Sequence, residues 1–357
     1  MSVAAYPLRV LQNRLGSVPR PSFCTYLVCN RCNAGCKMCD SWQLPRGAEL
    51  SPGEVRRIFS TIGRLDVVRL SGGEPFLRDD LALVAEAVLA SSRPAVLHVT
   101  TNGSLPDRIE RFAAEITAPR RLHIMVSFDG LEPEHDRNRG RAASFANAFA
   151  TVQRLAGLRS RGVEVSVNHT VISPQSLRDH EELRRLFDEI NVDVQWVLAY
   201  ETSSMYGAVR RGTRSEDLLL RPGYPLHPAL DARECGAFLE SQLHEIGRLR
   251  ARALRLGKRY YLRGLRERLR ADAAPRLRPK CVALRSHIRL LPDGRVPVCQ
   301  FNTETVGDLS RQPFPSVWRG EPARRARAWV DACSGCWAEC EVVPNALYSG
   351  DLWRAVV

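Results

Sequence analysis

The chain has 357 residues, 44% hydrophobic and 25% charged, enough for one large α/β domain plus a smaller appendage. No apolar run approaches the ~18 residues of a membrane span, and residues 1–21 lack the continuous apolar core of a secretory signal, so a cytoplasmic location is expected. The net charge is +13, yet thirteen Arg or Lys against two acids between Arg248 and Lys280 supply +11 of it; the excess marks one segment, and nucleic acid is not an expected partner of the whole fold.

After a short N-terminal extension, a strand is expected at 22–29, followed by a loop with three cysteines. Ser51-Pro52-Gly53-Glu54 opens a helix, with serine as the cap and glutamate three residues on. Strands at 66–70, 95–101, 122–128, 163–172 and 192–199 then alternate with helices starting near Arg78, Pro106, Ser144 and Ser176. Six such units predict an α/β fold, a parallel sheet with helices outside. Residues 210–280 read as a helical, arginine-rich connector. From Cys281 the texture changes: Ile288–Leu291, the turn Pro292-Asp293-Gly294 and Val296–Cys299 predict a β-hairpin, and a short helix over 322–330 precedes the last cysteines.

Eleven cysteines in a chain of this kind favour metal over disulfides. Cys32, Cys36 and Cys39 fall within eight residues, a spacing that suits one polynuclear iron site. A [4Fe–4S] cluster normally takes four thiolates, so three leave one iron open. Zinc is the competing reading, with Cys29 completing a Cys29–Cys32–Cys36–Cys39 knot. Downstream, Gly72-Gly73-Glu74-Pro75 closes the second strand, and glycine there lets backbone approach a ligand.

Cys-x3-Cys-x2-Cys after a first strand, with Gly-Gly-Glu-Pro after the second, closely resembles the radical SAM superfamily. The resemblance implies a partial (β/α)6 barrel over 22–209. It also implies a [4Fe–4S] cluster on Cys32, Cys36 and Cys39 whose open iron is chelated by S-adenosylmethionine. Reductive cleavage of that cofactor gives a 5′-deoxyadenosyl radical, which takes a hydrogen atom from substrate. Gly72, Gly73, Glu74 and Pro75 would contact the methionine amino group. Thr101-Asn102 and Ser127-Phe128-Asp129 resemble family strand ends that supply hydroxyls and carboxamides to the methionine carboxylate and ribose. Arg139 is expected to pair with the carboxylate, Asn168 to meet ribose or adenine, and Met38 to pack on adenine.

Cys281, Cys299, Cys333, Cys336 and Cys340 resemble the family's SPASM and twitch extensions, a β-hairpin and short helix around auxiliary iron–sulfur clusters. Five cysteines fit one auxiliary [4Fe–4S] cluster over 281–357, held by Cys281, Cys299 and two of Cys333, Cys336 and Cys340; a zinc ribbon is the alternative. An auxiliary cluster tilts the expected chemistry toward oxidation or oxidative bond formation. Tyr200, Glu201 and Tyr206, after the last barrel strand, are candidate catalytic residues. Cys235 is a candidate hydrogen donor, which would make the enzyme an epimerase.

The substrate expected is a small, lipid-linked or peptide molecule, with an anionic one favoured if the basic connector faces it. A flavodoxin- or ferredoxin-type protein would supply electrons. A peptide maturase is the main alternative, although only about twenty residues precede the first strand, where such enzymes often carry a leader-binding domain. A zinc-dependent nucleic-acid-binding protein is the non-enzyme alternative.

Overall fold

The computed structural model describes residues 6–16, 20–201, 224–250, 252–270 and 275–355. Six parallel strands follow the expected alternation: β1 (Phe23–Cys29), β2 (Val67–Gly72), β3 (Val96–Thr101), β4 (Leu122–Phe128), β5 (Glu164–Val171) and β6 (Asp193–Leu198). They lie side by side in chain order, each paired in parallel with the next. Helices Pro52–Ile62, Leu81–Ser92, Pro106–Glu115, Ser144–Gly157 and Pro174–Asp188 link them.

The strands have two unlike faces, because successive side chains point to opposite sides. On β3 and β4, Leu97, Val99, Leu122, Ile124 and Val126 are fully buried in the main hydrophobic core against the helices. Their alternates His98, Thr100, His123, Met125 and Ser127 are half-buried on the inner wall. The outer helices bury matching stripes. In Pro52–Ile62 these are Val55, Ile58, Phe59 and Ile62, and the expected cap forms, with Glu54 N donating to Ser51 Oγ and Ser51 N to Glu54 Oε2.

The C-terminal part departs from the expected hairpin in one respect. The first arm, β7 (His287–Leu290), does not pair with the second. It joins the main sheet as a seventh strand, parallel to β1, with Thr25 opposite Arg289. The free edge of β1 offered unpaired backbone groups, and β7 covers them. The turn still closes through Gly294 N to Leu291 O. The antiparallel hairpin forms one step later, between β8 (Arg295–Pro297) and β9 (Thr305–Asp308). Helices Glu321–Ala332 and Glu339–Ser349 complete this region.

The connector forms helices Ala232–Glu245 and Arg252–Arg270. The second is amphipathic: Tyr260, Tyr261, Leu262 and Leu265 are buried with Trp337, Val342 and Ala346. Arg266 and Arg270 pair with Glu240 of the neighbouring helix, Arg268 lies over the Trp337 ring and Lys258 is buried, so part of the basic segment is taken up within the fold. Among the described residues no helix is long and apolar enough to cross a membrane.

Candidate active site

The loop bearing Cys32, Cys36 and Cys39 leaves β1 and is fastened on two sides. Toward β3, Asn102 Nδ2 donates to Asn33 Oδ1 (2.8 Å) and Asn33 Nδ2 to Ser104 Oγ (2.9 Å). Toward helix Glu132–Arg139, Gly35 N donates to Arg139 O and Lys37 N to Asn138 O, each 3.0 Å. The helix thus places its last, otherwise unsatisfied carbonyls on the loop backbone. Asn138 Nδ2 also reaches Met38 Sδ (3.3 Å).

Cys36 is buried, while Cys32 and Cys39 are half-buried. Burial pushes the Cys32 thiol up and Cys36 up to about 12, with the neighbouring thiols adding to the rise and Arg139 opposing it. Such thiols do not ionise together beside one guanidinium; bound cationic iron supplies the missing charge. Among the described residues no three His, Cys, Asp or Glu side chains are gathered tightly enough for a single metal ion. A four-iron cluster takes its thiolates on separate irons and does not need them gathered about one ion.

The Gly72-Gly73 segment crosses the end of β1. A Cβ on Gly72, whose φ is 145°, would lie 2.3 Å from Cys29 O, and one on Gly73 would lie 2.1 Å from Arg31 O. No larger residue fits this crossing. Glu74 is buried, and its carboxylate accepts from Phe76 N (3.1 Å), Thr101 Oγ1 (2.7 Å) and Asn102 N (2.7 Å). Burial raises its pKa while those donors oppose the rise. Its side chain therefore locks the β2 turn to the end of β3, and Pro75 opens the following 3-10 turn.

Asp129 and Arg139 are brought together rather than toward open space. Arg139 Nη2 and Nε lie 2.8 and 2.6 Å from the Asp129 oxygens, and Asn138 Nδ2 donates to Asp129 Oδ2 (2.6 Å). Both side chains are buried, and Arg139 Nη1 lies 3.7 Å from Cys36 Sγ. Arg139, expected to meet a ligand carboxylate, here engages Asp129, and the pair supports the cysteine loop. Ser127 and Asn168 stand opposite one another in register on the inner wall, half-buried.

The catalytic candidates fare unevenly. Tyr200 packs 5.4 Å from the Tyr224 ring, at a bridge to Leu226 just beyond β6. Burial, with Tyr224, Tyr261, Cys340 and Cys336 nearby, pushes its hydroxyl well above the ordinary value. Glu201 is exposed, its backbone N donating to Pro225 O. Tyr206 lies outside the described residues. Cys235 is not brought to the inner wall: it is buried in a cluster with Val171, Trp196 and Leu198, on the outward face of β5 and β6. Burial holds that thiol up at about 12. The helix presents it to the core because Leu239, one turn on, shares its face.

The five C-terminal cysteines do converge. Cys281 is pushed up to about 12 by burial, with Cys299 and Cys333 adding to it. Cys336 is raised by burial and then by Cys281, Cys299 and Cys340. Cys340 Sγ is 3.2 Å from Gln300 Oε1. Two features escaped the sequence reading: the polar inner wall, with Arg69 near His98 and His123, and the pairing of the buried Lys258 Nζ with the half-buried Glu339 Oε1 (2.8 Å). Polar residues at every second position of β3 were the available signal for the first.

The radical SAM superfamily model matches residues 26–187, and the SPASM iron-sulfur cluster-binding domain matches residues 281–337. A pre-heme d1 synthase of Dinoroseobacter shibae is 28% identical over 327 residues, 86% of this chain and 76% of that one. A probable GTP 3′,8-cyclase of Methanothermobacter thermautotrophicus is 26% identical over 293 residues, 79% of this chain and 85% of that one. Among solved structures, Streptococcus suis SuiB bound to precursor peptide SuiA superposes with a TM-score of 0.61 at 13% identity, over 89% of this chain and 69% of that one. Native anSMEcpe with bound AdoMet gives 0.61 at 14%, over 94% and 97%. At such identities the superpositions speak to fold. The chain belongs to the radical SAM superfamily: it is an enzyme that uses S-adenosylmethionine and a [4Fe–4S] cluster, with a C-terminal SPASM domain for auxiliary iron–sulfur chemistry.

Proposed function

We propose that this enzyme oxidises, or oxidatively rearranges, an anionic small molecule held against the inner wall of the barrel. The observation that carries the reading is the basic, donor-rich lining of that wall. Arg69, His98, His123, His287 and Arg289 share one face of neighbouring strands, and Glu341 is the acid that meets Arg289 and His287. The guanidiniums of Arg69 and Arg289 outnumber the Glu341 carboxylate, and the three imidazoles, held neutral by burial, add hydrogen-bond donors, a lining that favours anionic ligands. The relatives matched along most of their length carry names of small-molecule enzymes, a pre-heme d1 synthase and a GTP 3′,8-cyclase, which supports a polyanion of tetrapyrrole or nucleotide type.

In this reading Cys32, Cys36 and Cys39 hold the first cluster, which with S-adenosylmethionine supplies a carbon radical able to abstract hydrogen. Asn33, Asn102 and the carbonyls of Asn138 and Arg139 fix the loop. Gly72 to Pro75, with Thr101, make the backbone cradle beside it, and Ser127 and Asn168 offer a hydroxyl and a carboxamide to the cofactor from the wall. Cys281, Cys299, Cys333 and Cys336 hold the auxiliary cluster, and Cys340, engaged with Gln300, stands outside it. The working units are a barrel of residues 22–209, a connector of 210–280 and a cluster domain of 281–357. A flavodoxin- or ferredoxin-type protein supplies the reducing electron.

The test is anaerobic incubation with dithionite, S-adenosylmethionine and a deuterated small-molecule extract, fractionated by anion exchange. Deuterium reaching 5′-deoxyadenosine from strongly retained fractions supports the reading. Transfer from peptide fractions alone overturns it in favour of a peptide maturase.

A further inference from the structure

Four side chains form a continuous hydrogen-bonded line across three strands of the inner wall. Thr100 Oγ1 lies 3.1 Å from His98 Nε2, the two imidazole Nδ1 atoms of His98 and His123 lie 3.1 Å apart, and His123 Nε2 lies 2.8 Å from Ser166 Oγ. Their outward neighbours Leu97, Val99, Leu122 and Ile124 are fully buried against the helices, so these four belong to the opposite, inner face. His98, Thr100 and His123 keep accessible surface there, within a densely walled interior.

The line has two equivalent proton arrangements. In one, the Thr100 hydroxyl donates to His98 Nε2, His98 Nδ1–H to His123 Nδ1, and His123 Nε2–H to Ser166. In the other every bond is reversed. Each imidazole stays neutral in both, since a neutral imidazole has one donor and one acceptor nitrogen. A proton entering at Thr100 therefore leaves at Ser166 without either ring becoming an imidazolium. Opposite Ser166 in the register is Asp193, which borders a cleft with Arg184, Asp188 and Gln242.

We propose that Thr100, His98, His123 and Ser166 form a proton relay that carries away the proton lost by the substrate radical as it is oxidised. The inference rests on the oxidative reading above. In that step the substrate's X–H bond beside the radical carbon breaks and a C=X bond forms. The proton passes to Thr100 while the Thr100 proton moves to His98 Nε2, and one electron goes to the auxiliary iron–sulfur centre. His98 and His123 are relay residues, acting through Thr100. Thr100 immediately precedes Thr101 and Asn102, which places the relay's mouth at the cofactor end of the wall.

Burial keeps the rings neutral, with charged neighbours adding to it. Burial depresses His98 well below the ordinary histidine value, with His123 and Arg69 adding to it, and brings His123 to about 4, again with Arg69 adding. Glu164 stands opposite His123 in the register but is exposed at the start of β5. A ring that does not trap the proton can pass it on.

Two variants test this, each keeping a polar group at the Nδ1 position. His98→Asn removes the link to Thr100 and His123→Asn the link to Ser166. With cluster-loaded enzyme, dithionite, S-adenosylmethionine and the small-molecule extract, oxidised product per 5′-deoxyadenosine should fall about a hundredfold in each variant, and the solvent deuterium effect on product formation should change. A ratio and an isotope effect equal to wild type would overturn the proposal. Nitrogen-15 imidazole NMR of the loaded protein needs no substrate. It should show one solvent-protected N–H shared between the two Nδ1 atoms down to about pH 5, absent from both variants. Independent titration of the two rings near ~6.5 would overturn the relay by itself, whereas absent deuterium transfer from any extract would strike only the oxidative reading.

Discussion

Arg139 and Asp129 form a buried two-point pair, with Arg139 Nε and Nη2 on the two carboxylate oxygens, at the spot where the third guanidinium nitrogen reaches Cys36. The last residue of one helix thereby sets the charge beside a cluster thiol and, through its carbonyl, holds Gly35 of the same loop. Asp129→Asn leaves the guanidinium buried and under-compensated. Loss of one partner of such a pair costs about 3–5 kcal/mol. The variant should unfold at lower denaturant and retain less iron at the first site; an unchanged midpoint with full iron would reject the pairing as a support of the loop.

Gly73 makes a sharper steric prediction. Its added Cβ would meet backbone, Arg31 O at 2.1 Å, whereas a Cβ on Gly53 in helix Pro52–Ile62 meets nothing within 4 Å. Gly73→Ala should destabilise by about 1–3 kcal/mol through overpacking and weaken S-adenosylmethionine binding. Gly53→Ala should stabilise by roughly 0.5–1 kcal/mol, the helix-propensity gain. Denaturant titration and calorimetry of cofactor binding check both, and equal effects at the two glycines would refute the crossing geometry.

These two sites also mark how far sequence reaches. The cysteine loop and the Gly72–Pro75 turn were legible because ligand chemistry and backbone crowding fix residue type within a few positions. Thr101, Asn102 and Ser127 were legible as strand ends, and Asn168 as a position within the fifth strand; their cofactor contacts belong to the proposed function. The partnership of Asp129 with Arg139 was not, because it depends on how helix Glu132–Arg139 folds back over β4. The place of Cys235 turned on which face of its helix meets β5 and β6, and that orientation is set by distant Trp196 and Leu198. The joining of β7 to β1 depended on an edge that only the assembled sheet exposes. Hydrophobic runs announce a strand, not its neighbour.

Buried imidazoles give the protein a defined acid sensitivity. Burial lowers His180 to about 4, and its Nδ1 lies 2.9 Å from the buried His169 Nδ1. The unfolded chain titrates near ~6.5, so between that pH and about 4 it binds more protons than the folded state. Stability therefore falls as pH drops through this window, by up to about 3 kcal/mol for this group, and the loss is complete below it. His180→Gln, which keeps a neutral hydrogen-bonding group, should flatten the slope. Urea midpoints measured from pH 7 to 4 decide it; identical slopes would assign the acid sensitivity elsewhere.

The auxiliary cysteines allow the ligand set to be separated by iron content. Cys281 responds to Cys299 and Cys333, and Cys336 to Cys281, Cys299 and Cys340, so all five thiols are neighbours and the proposed choice of four rests on the separate contact of Cys340. Cys340 meets Gln300 and lies near the charges of Arg69 and Arg289, which oppose the upward push of burial on its thiol. Two four-iron clusters correspond to about eight irons per chain. Cys281→Ser and Cys336→Ser should each fall toward about four irons with the first cluster intact, because thiolate is the ligand and a hydroxyl at neutral pH is not. In the proposed ligand set, which leaves Cys340 out, Cys340→Ser should keep about eight. Loss of iron in Cys340→Ser with retention in the Cys333→Ser variant would exchange those two roles, and iron counting with electron paramagnetic resonance of the reduced protein distinguishes the outcomes.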